Sequence, residues 1–259
     1  MRLNHLAVVM PAYNEAAGIA GFLTELDEHL APLTHRLDLV VIDDRSTDAT
    51  ATVLSSLAGE LTSLRSETAD VNRGHGPTAL AAYRTGLGLG PELIVHIDGD
   101  GQFSGADVAR LVEAALDTGA DVVHGVRTGR TDPWFRRVLT AGVGGIVTVV
   151  AGRRIPDVNT PLRAYRPQVL TTLVTAVPAD ALVPHVHFSL AEARRGLAVR
   201  YLRVASLPRR GGDEQGTMWA ETDAPARRAP MLPPRRLRTF ARAAAGELWR
   251  VSLSPRRAR

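Results

Sequence analysis

The chain has 259 residues, 45% of them apolar, which suits one large α/β domain or a domain with an appendage. It has no cysteine, so disulfides and thiolate metal sites are excluded. All 31 basic residues are Arg, and the net charge of +4 divides into −5 over residues 1–199 (17 Arg, 22 acids) and +9 over residues 200–259 (14 Arg, 5 acids). Any phosphate contact must therefore use Arg, His or backbone N–H groups, and the basic end points to an anionic partner.

The opening stretch MRLNHLAVVMPAYNE enters a strand pattern directly, without the marks of a signal peptide. LAVVM (6–10) predicts a buried strand. Residues 15–30 carry Ile19, Phe22, Leu23, Leu26 and Leu30 at helical spacing. LDLVVI (37–42) is the next strand, and STDATATVLSSLA (46–58) reads as a helix opened by a Ser/Thr cap. A third strand is expected over 61–67, then a helix over 77–87 with Pro77 at its first position, and a strand over 92–97. Ser104 and Asp107 are spaced as a capping box for a helix over 104–116, followed by a strand over 120–126.

Strands alternating with helices through short loops imply a mostly parallel, Rossmann-like sheet flanked by helices. Ligands in such folds bind outside the carboxyl ends of the strands. Three polar clusters fall at those ends: PAYNE (11–15), DDRSTD (43–48) and DGDGQ (98–102). After residue 126 the rhythm changes. The uncharged run VLTAGVGGIVTVVAG (138–152) is shorter than the about 20 apolar residues that span a bilayer, and fits a buried or interfacial helix. A helix over 185–196 and a strand over 197–206 follow, and Pro, Gly and Arg dominate from PRRGG (208–212) onward. These readings divide the chain into a domain over 1–212 and a basic Pro/Arg-rich extension over 213–259.

Asp98 and Asp100 stand one residue apart on a Gly turn at a strand end. Two carboxylates so close share a divalent cation readily, because the cation cancels their repulsion, and hard oxygen ligands suit Mg²⁺ or Mn²⁺. Gln102 offers a further carbonyl oxygen. Asp44, ending the second strand, can meet a ribose hydroxyl or a base N–H; its alternative is to cap a helix. No G-x-G-x-x-G follows the first strand and no P-loop lysine exists, which counts against nicotinamide, flavin and P-loop enzymes. His185 and His187, two apart on a helix, point to different faces and are expected to pack rather than ligate.

Together, VVMPAYNEAAGI, VVIDDRSTDAT, NRGHGPTALAAYRTGL and IVHIDGDGQF, in that order, resemble the family-2 glycosyltransferases, which have a GT-A fold. VVHGVR (122–127), RRVLT (136–140), IPDVNTPLRAYR (155–166) and LPRRGG (207–212) are similar to the polyprenyl-phosphate branch, that of the dolichol-phosphate mannose synthases. The resemblance implies an inverting, metal-dependent transfer of a sugar from a nucleoside-diphosphate sugar to a polyprenyl phosphate at a membrane surface. Pro11, Tyr13, Glu15 and Asp44 would line the nucleotide pocket. Asp98 would face the donor sugar and ribose, and Asp100 with Gln102 would hold Mg²⁺ or Mn²⁺. Arg127, Arg136 and Thr140 would meet the acceptor phosphate, and Arg209 the donor diphosphate. Arg163 also matches a family position.

The chain departs from this pattern where many relatives have Lys in the glycine loop and NRGHG has His75, a weaker and pH-dependent cation. Relatives with transmembrane helices after the domain have no counterpart in this sequence.

A phosphate acceptor arrives ionised and needs no general base. A hydroxyl acceptor on a glycan or secondary metabolite, the alternative reading, needs one, with Asp157 as its weak candidate. A nucleotidyltransferase is a remoter alternative, lacking the expected Gly-rich loop after the first strand. Nucleic acid is not an expected partner, since aromatics are 5% and form no stacking platform. In the extension, Leu237, Phe240, Ala241, Ala244, Leu248 and Val251 form one stripe of a helix over 235–253, with Arg235, Arg238 and Arg242 off it. Such a helix either lies in a membrane interface or packs on the domain. The expected location is cytoplasmic, peripheral on the inner membrane face.

Overall fold

A computed structural model of the chain describes residues 2–129, 134–211 and 235–254; the side chains of 134–139 and 143 stand outside the description. The first half alternates as the periodicity predicts: β1 (Leu3–Ala12), α1 (Ile19–Leu30), β2 (Thr34–Asp43), α2 (Thr50–Leu57), β3 (Leu64–Thr68), α3 (His75–Gly88), β4 (Leu93–His96), α4 (Gly105–Thr118) and β5 (Val122–Thr128). The second half holds α5 (Trp134–Ala151), β6 (Arg163–Tyr165), α6 (Pro167–Val174), α7 (Pro184–Arg194), β7 (Val199–Ala205) and α8 (Arg235–Leu248). The seven strands form one sheet in the order β3-β2-β1-β4-β6-β5-β7. All are parallel except β6, which runs antiparallel to both β4 and β5.

The sheet is covered on both faces, as a parallel sheet requires. Along β1, Leu6, Val8, Met10 and Ala12 join the apolar cluster of α1 and α4, while Ala7 and Val9 face the cluster built with α3, α6 and α7. This two-residue alternation makes strand register a chemical choice. The five apolar residues of α1 named from spacing are all fully buried.

Several boundaries differ from the sequence reading for local reasons. Helix α1 begins at Ile19, because the Glu15 carbonyl accepts the N–H groups of Gly18 and Ile19 in a separate turn. Helix α2 begins at Thr50, whose N–H donates to Asp48 Oδ1 at 2.9 Å, so Ser46 is not its cap. Helix α3 opens at His75, which makes Pro77 its third residue; first-turn N–H groups lack helical partners anyway, so the ring costs little there. The Ser104 cap is as expected, its hydroxyl accepting from Asp107 N at 3.1 Å. Strand β6 and helix α6 are not among the elements expected from the sequence; β6 has only three residues, while α6 buries Leu170, Leu173 and Val174 at helical spacing.

The apolar stripe of α8 turns inward. Leu237 and Leu248 are buried, and Phe240, Ala241, Ala244 and Val251 are half-buried. The helix ends at Leu248 and one π-turn continues it through Leu253. Glu247 takes the N–H of Leu182 at 2.9 Å and pairs with His187 Nε2 at 2.9 Å, fastening α8 to the start of α7. No helix among the described residues is long and apolar enough to cross a membrane.

Candidate active site

The polar clusters meet at the carboxyl edge of the sheet. Asn14 and Arg45 adopt left-handed backbone, with φ of 55° and 60°. Asn14 N donates to Ser46 Oγ at 2.9 Å and its Oδ1 accepts from Thr47 N at 2.8 Å, which clips the β1 loop to the β2 loop. Asp43 is fully buried and accepts from Ser46. Asp44, also buried, accepts Arg73 N and Gly74 N, each at 2.8 Å, one on each oxygen. It therefore anchors the glycine loop that leads into α3. Pro11 closes on the same edge, its carbonyl accepting Gly99 N at 3.2 Å, and Tyr13 lies half-buried beyond it.

The turn after β4 carries the carboxylates. Gly101 sits at φ 67°, and a Cβ there would strike the Arg210 side chain at 2.5 Å. Asp98 Oδ1 is buried and has no hydrogen-bond partner among the described residues; His75 Nε2 lies 3.6 Å away. Asp100 Oδ1 accepts from Gln102 N at 3.1 Å. Burial, and then the Asp98 charge, push the Asp100 carboxyl up to about 6. An orphaned buried oxygen beside a carboxyl with a raised pKa is the arrangement a divalent cation relieves. Among the described residues no group of three or more His, Asp or Glu could hold a metal, so the protein would supply one or two oxygens and ligand phosphates or water the rest, as is usual for Mg²⁺. The Gln102 side-chain N–H₂ donates to Leu207 carbonyl at 3.3 Å, which leaves Oε1 as its remaining oxygen.

Two arginines expected at the site are each gripped by an acid: Arg209, whose charge acts on Asp100, and Arg127, near the end of β5. Arg209 meets Glu15 through Nη2 at 2.5 Å and Nε at 3.2 Å. Burial raises the Glu15 carboxyl and the Arg209 charge opposes that rise; the two-point contact with an always-charged guanidinium keeps the pair ionic. Arg127 meets Asp157 through Nε at 2.8 Å and Nη2 at 3.0 Å. Asp157, the weak general-base candidate, is thus held in an ion pair with the Arg expected at the acceptor phosphate. Thr140 is exposed on α5; Arg136 lies on the same helix, its side chain outside the described set.

Beneath the edge lies a polar layer that sequence reasoning did not assemble. His96, Arg163 and His124 stand in register across β4, β6 and β5. Arg163 is fully buried; its guanidinium donates to the carbonyls of Thr160 and Val158, to Ser189 Oγ and to Tyr165 Oη, and pairs with Glu192 at 3.4 Å. Its role is structural. His185 packs as expected, against His96 and with Tyr83 Oη 3.1 Å from its Nε2. His187 packs too, between Glu247 and Ser252. Burial lowers His96 to about 4 and His185 well below the usual range, so both are neutral at neutral pH. One signal was available: His96 is a polar residue inside the otherwise apolar run LIVHI (93–97).

The doubly covered α/β sheet, with paired carboxylates at its carboxyl edge, has the GT-A-like fold of the solved structures it resembles. The chain belongs to glycosyl transferase family 2, whose model matches residues 7–173. Curated relatives include the undecaprenyl-phosphate 4-deoxy-4-formamido-L-arabinose transferases of Edwardsiella ictaluri (28% identical over 200 residues, 77% of this chain and 60% of the relative) and Proteus mirabilis (27% over 215 residues, 83% and 63%). The chain thus spans roughly three fifths of these relatives. Among solved structures it is similar to glucosyl-3-phosphoglycerate synthase from Mycobacterium tuberculosis in complex with Mn²⁺, UDP and phosphoglyceric acid (TM-score 0.66, 16% identity, 98% of this chain, 80% of that one). It is also similar to a mannosyltransferase from Pyrobaculum calidifontis in complex with GDP-mannose and Mn²⁺ (TM-score 0.57, 22%, 82% and 59%). At these identities the likeness is one of fold.

Proposed function

We propose that the protein transfers a sugar, with inversion, from a nucleoside-diphosphate sugar to a polyprenyl phosphate such as the undecaprenyl phosphate in its relatives' names. The observation that carries this reading is the convergence of the Asp98–Asp100 turn and Arg209 on one edge. Breaking the glycosidic bond leaves an electron pair on the departing diphosphate. Arg209 would stabilise that charge, and Asp98 and Asp100 would hold Mg²⁺ or Mn²⁺, which supplies Lewis-acid stabilisation when bound. Pro11, Tyr13 and Asp44 would border the nucleotide, Gln102 Oε1 would stand by the cation, and Arg127, Arg136 and Thr140 would receive the acceptor.

The pairing of Asp157 with Arg127 supports a phosphate acceptor over a hydroxyl one. A carboxylate in a bidentate pair with a guanidinium is a poor proton acceptor, and an ionised phosphate needs none. Peripheral contact with the inner membrane face, through the basic outer side of α8, would bring the enzyme to a lipid acceptor. The test is incubation with a panel of nucleotide sugars and Mg²⁺ or Mn²⁺, with and without undecaprenyl phosphate. Release of nucleoside diphosphate that depends on the lipid phosphate is the expected result. Release stimulated only by hydroxyl acceptors would overturn the acceptor assignment.

A further inference from the structure

Glu15 has no obvious use at an anion-binding edge. It is a third acid beside Asp98 and Asp100, and it stands where a diphosphate would feel its repulsion. Its backbone is fixed, with its N–H donating to Thr50 Oγ1 at 2.8 Å and its carbonyl closing the turn before α1. Its carboxylate takes the Nε and Nη2 side of Arg209, and both side chains are largely buried.

The segment that carries Arg209 is strapped along the carboxylate turn. Leu207 N donates to Gln102 carbonyl at 2.9 Å and Arg210 N to Asp100 carbonyl at 3.0 Å. Arg210 pairs with Glu25 and lies over the Phe22 ring at 5.1 Å. The close approach of Arg210 to Gly18 leaves no room for a side chain there, since a Cβ on Gly18 would meet Arg210 Cβ at 2.6 Å. The backbone on either side of Arg209 is therefore held, and Glu15 is the only described partner of its guanidinium. A guanidinium has five N–H groups, of which Glu15 takes two, leaving three for a ligand.

We infer that Glu15 serves the reaction through Arg209: it is a positioning residue that fixes the guanidinium beside the Asp98–Asp100 turn so that its free N–H groups meet the donor diphosphate. This rests on the proposed function. The sign of the effect separates it from plain electrostatics. If Glu15 contributed only negative charge, removing that charge would tighten binding of a polyanion. If it positions Arg209, removing the charge loosens binding, because a guanidinium freed from its partner must be ordered again by the ligand.

The experiment measures Kd for UDP, GDP, ADP, CDP and dTDP with Mn²⁺ by calorimetry, on the full chain and on Glu15→Gln, Arg209→Gln and the double variant, with Tm recorded for each. The inference expects Glu15→Gln to weaken binding about tenfold, the scale of one charge-assisted contact. It also expects the double variant to bind no more weakly than Arg209→Gln alone, since Glu15 would have nothing left to position. Binding by Glu15→Gln equal to or tighter than wild type, or fully additive losses in the double variant, would overturn it while leaving the proposed function standing. If wild type bound none of the five diphosphates, the proposed function would fall, and this inference with it. Should Glu15→Gln fold poorly, Glu15→Asp, which keeps the charge but shortens the reach, is expected to show the same loosening without loss of charge.

Discussion

Asp100 is a carboxyl that its surroundings hold near the edge of ionisation. Its folded pKa, about 6, lies above the ordinary 3.8, so by itself this group stabilises the cation-free protein at low pH, and that contribution is lost as pH rises through about 6. A bound cation reverses the sign, because it requires the ionised form. Mn²⁺ with a nucleoside diphosphate is therefore expected to raise Tm at pH 7.5 and to lose most of that gain by pH 5; an equal gain at both would remove Asp100 from the metal site. Asp100→Asn should lower transfer on the order of 10²-fold or more, with Tm in the absence of cation unchanged or higher. At Asp157 kinetics would separate two roles. As the partner of Arg127 it is expected to raise the acceptor KM roughly tenfold when changed to Asn, with donor hydrolysis nearly unaffected. A general base would instead show itself in kcat, by about 10²–10⁴-fold.

Among the elements, β6 has the least sequence signal and the greatest structural consequence. It enters antiparallel between β4 and β5 and carries Arg163 into a site with no solvent. The charge is matched by Glu192 on α7, which also accepts Tyr165 Oη at 2.9 Å and lies 3.0 Å from His124 Nε2. Despite burial, His124 and Arg163 hold the Glu192 carboxyl below its usual range. Removing one member of a buried pair leaves the other uncompensated. Glu192→Ala should thus cost about 3–5 kcal/mol, or very roughly 6–20 °C in Tm, in thermal unfolding. A loss under about 1 kcal/mol would mean that the network is not holding α7 to the sheet.

For the molecule as a whole, α8 sets an apolar side against the domain and a basic side outward. Its apolar side covers the cluster of Val147, Ile155, Val158, Val186 and Leu190 through Leu248, and its arginines face outward. Arg235, Arg236, Arg238 and Arg242 are exposed and make no ion pair or side-chain hydrogen bond among the described residues. Contact with an anionic bilayer through that side would be electrostatic, so sedimentation with anionic vesicles is expected to fall steeply between low salt and about 0.5 M. Salt-resistant binding would mean that the stripe leaves the domain and inserts. Truncation after residue 234 should lower Tm, since it uncovers that cluster and removes the acceptor that Glu247 provides to Leu182 N–H.

The sequence by itself determined the elements whose burial is periodic and the loops whose chemistry is local. The α1 face, the Ser104 cap and the three polar clusters at strand ends all follow from spacing along one element, because a repeat of two or 3.6 residues states which side is buried. Which acid meets which arginine is not stated that way. Glu15 and Arg209 are 194 residues apart, and they meet because the segment after β7 returns along the Asp98–Asp100 turn. Arg127 reaches Asp157, and His96 lines up with Arg163 and His124, because a three-residue strand runs against its neighbours. Side-chain pairing across a sheet depends on strand order and direction, which are settled by packing the whole chain, so the partners of the site arginines and the inward turn of α8 belonged to the tertiary structure alone.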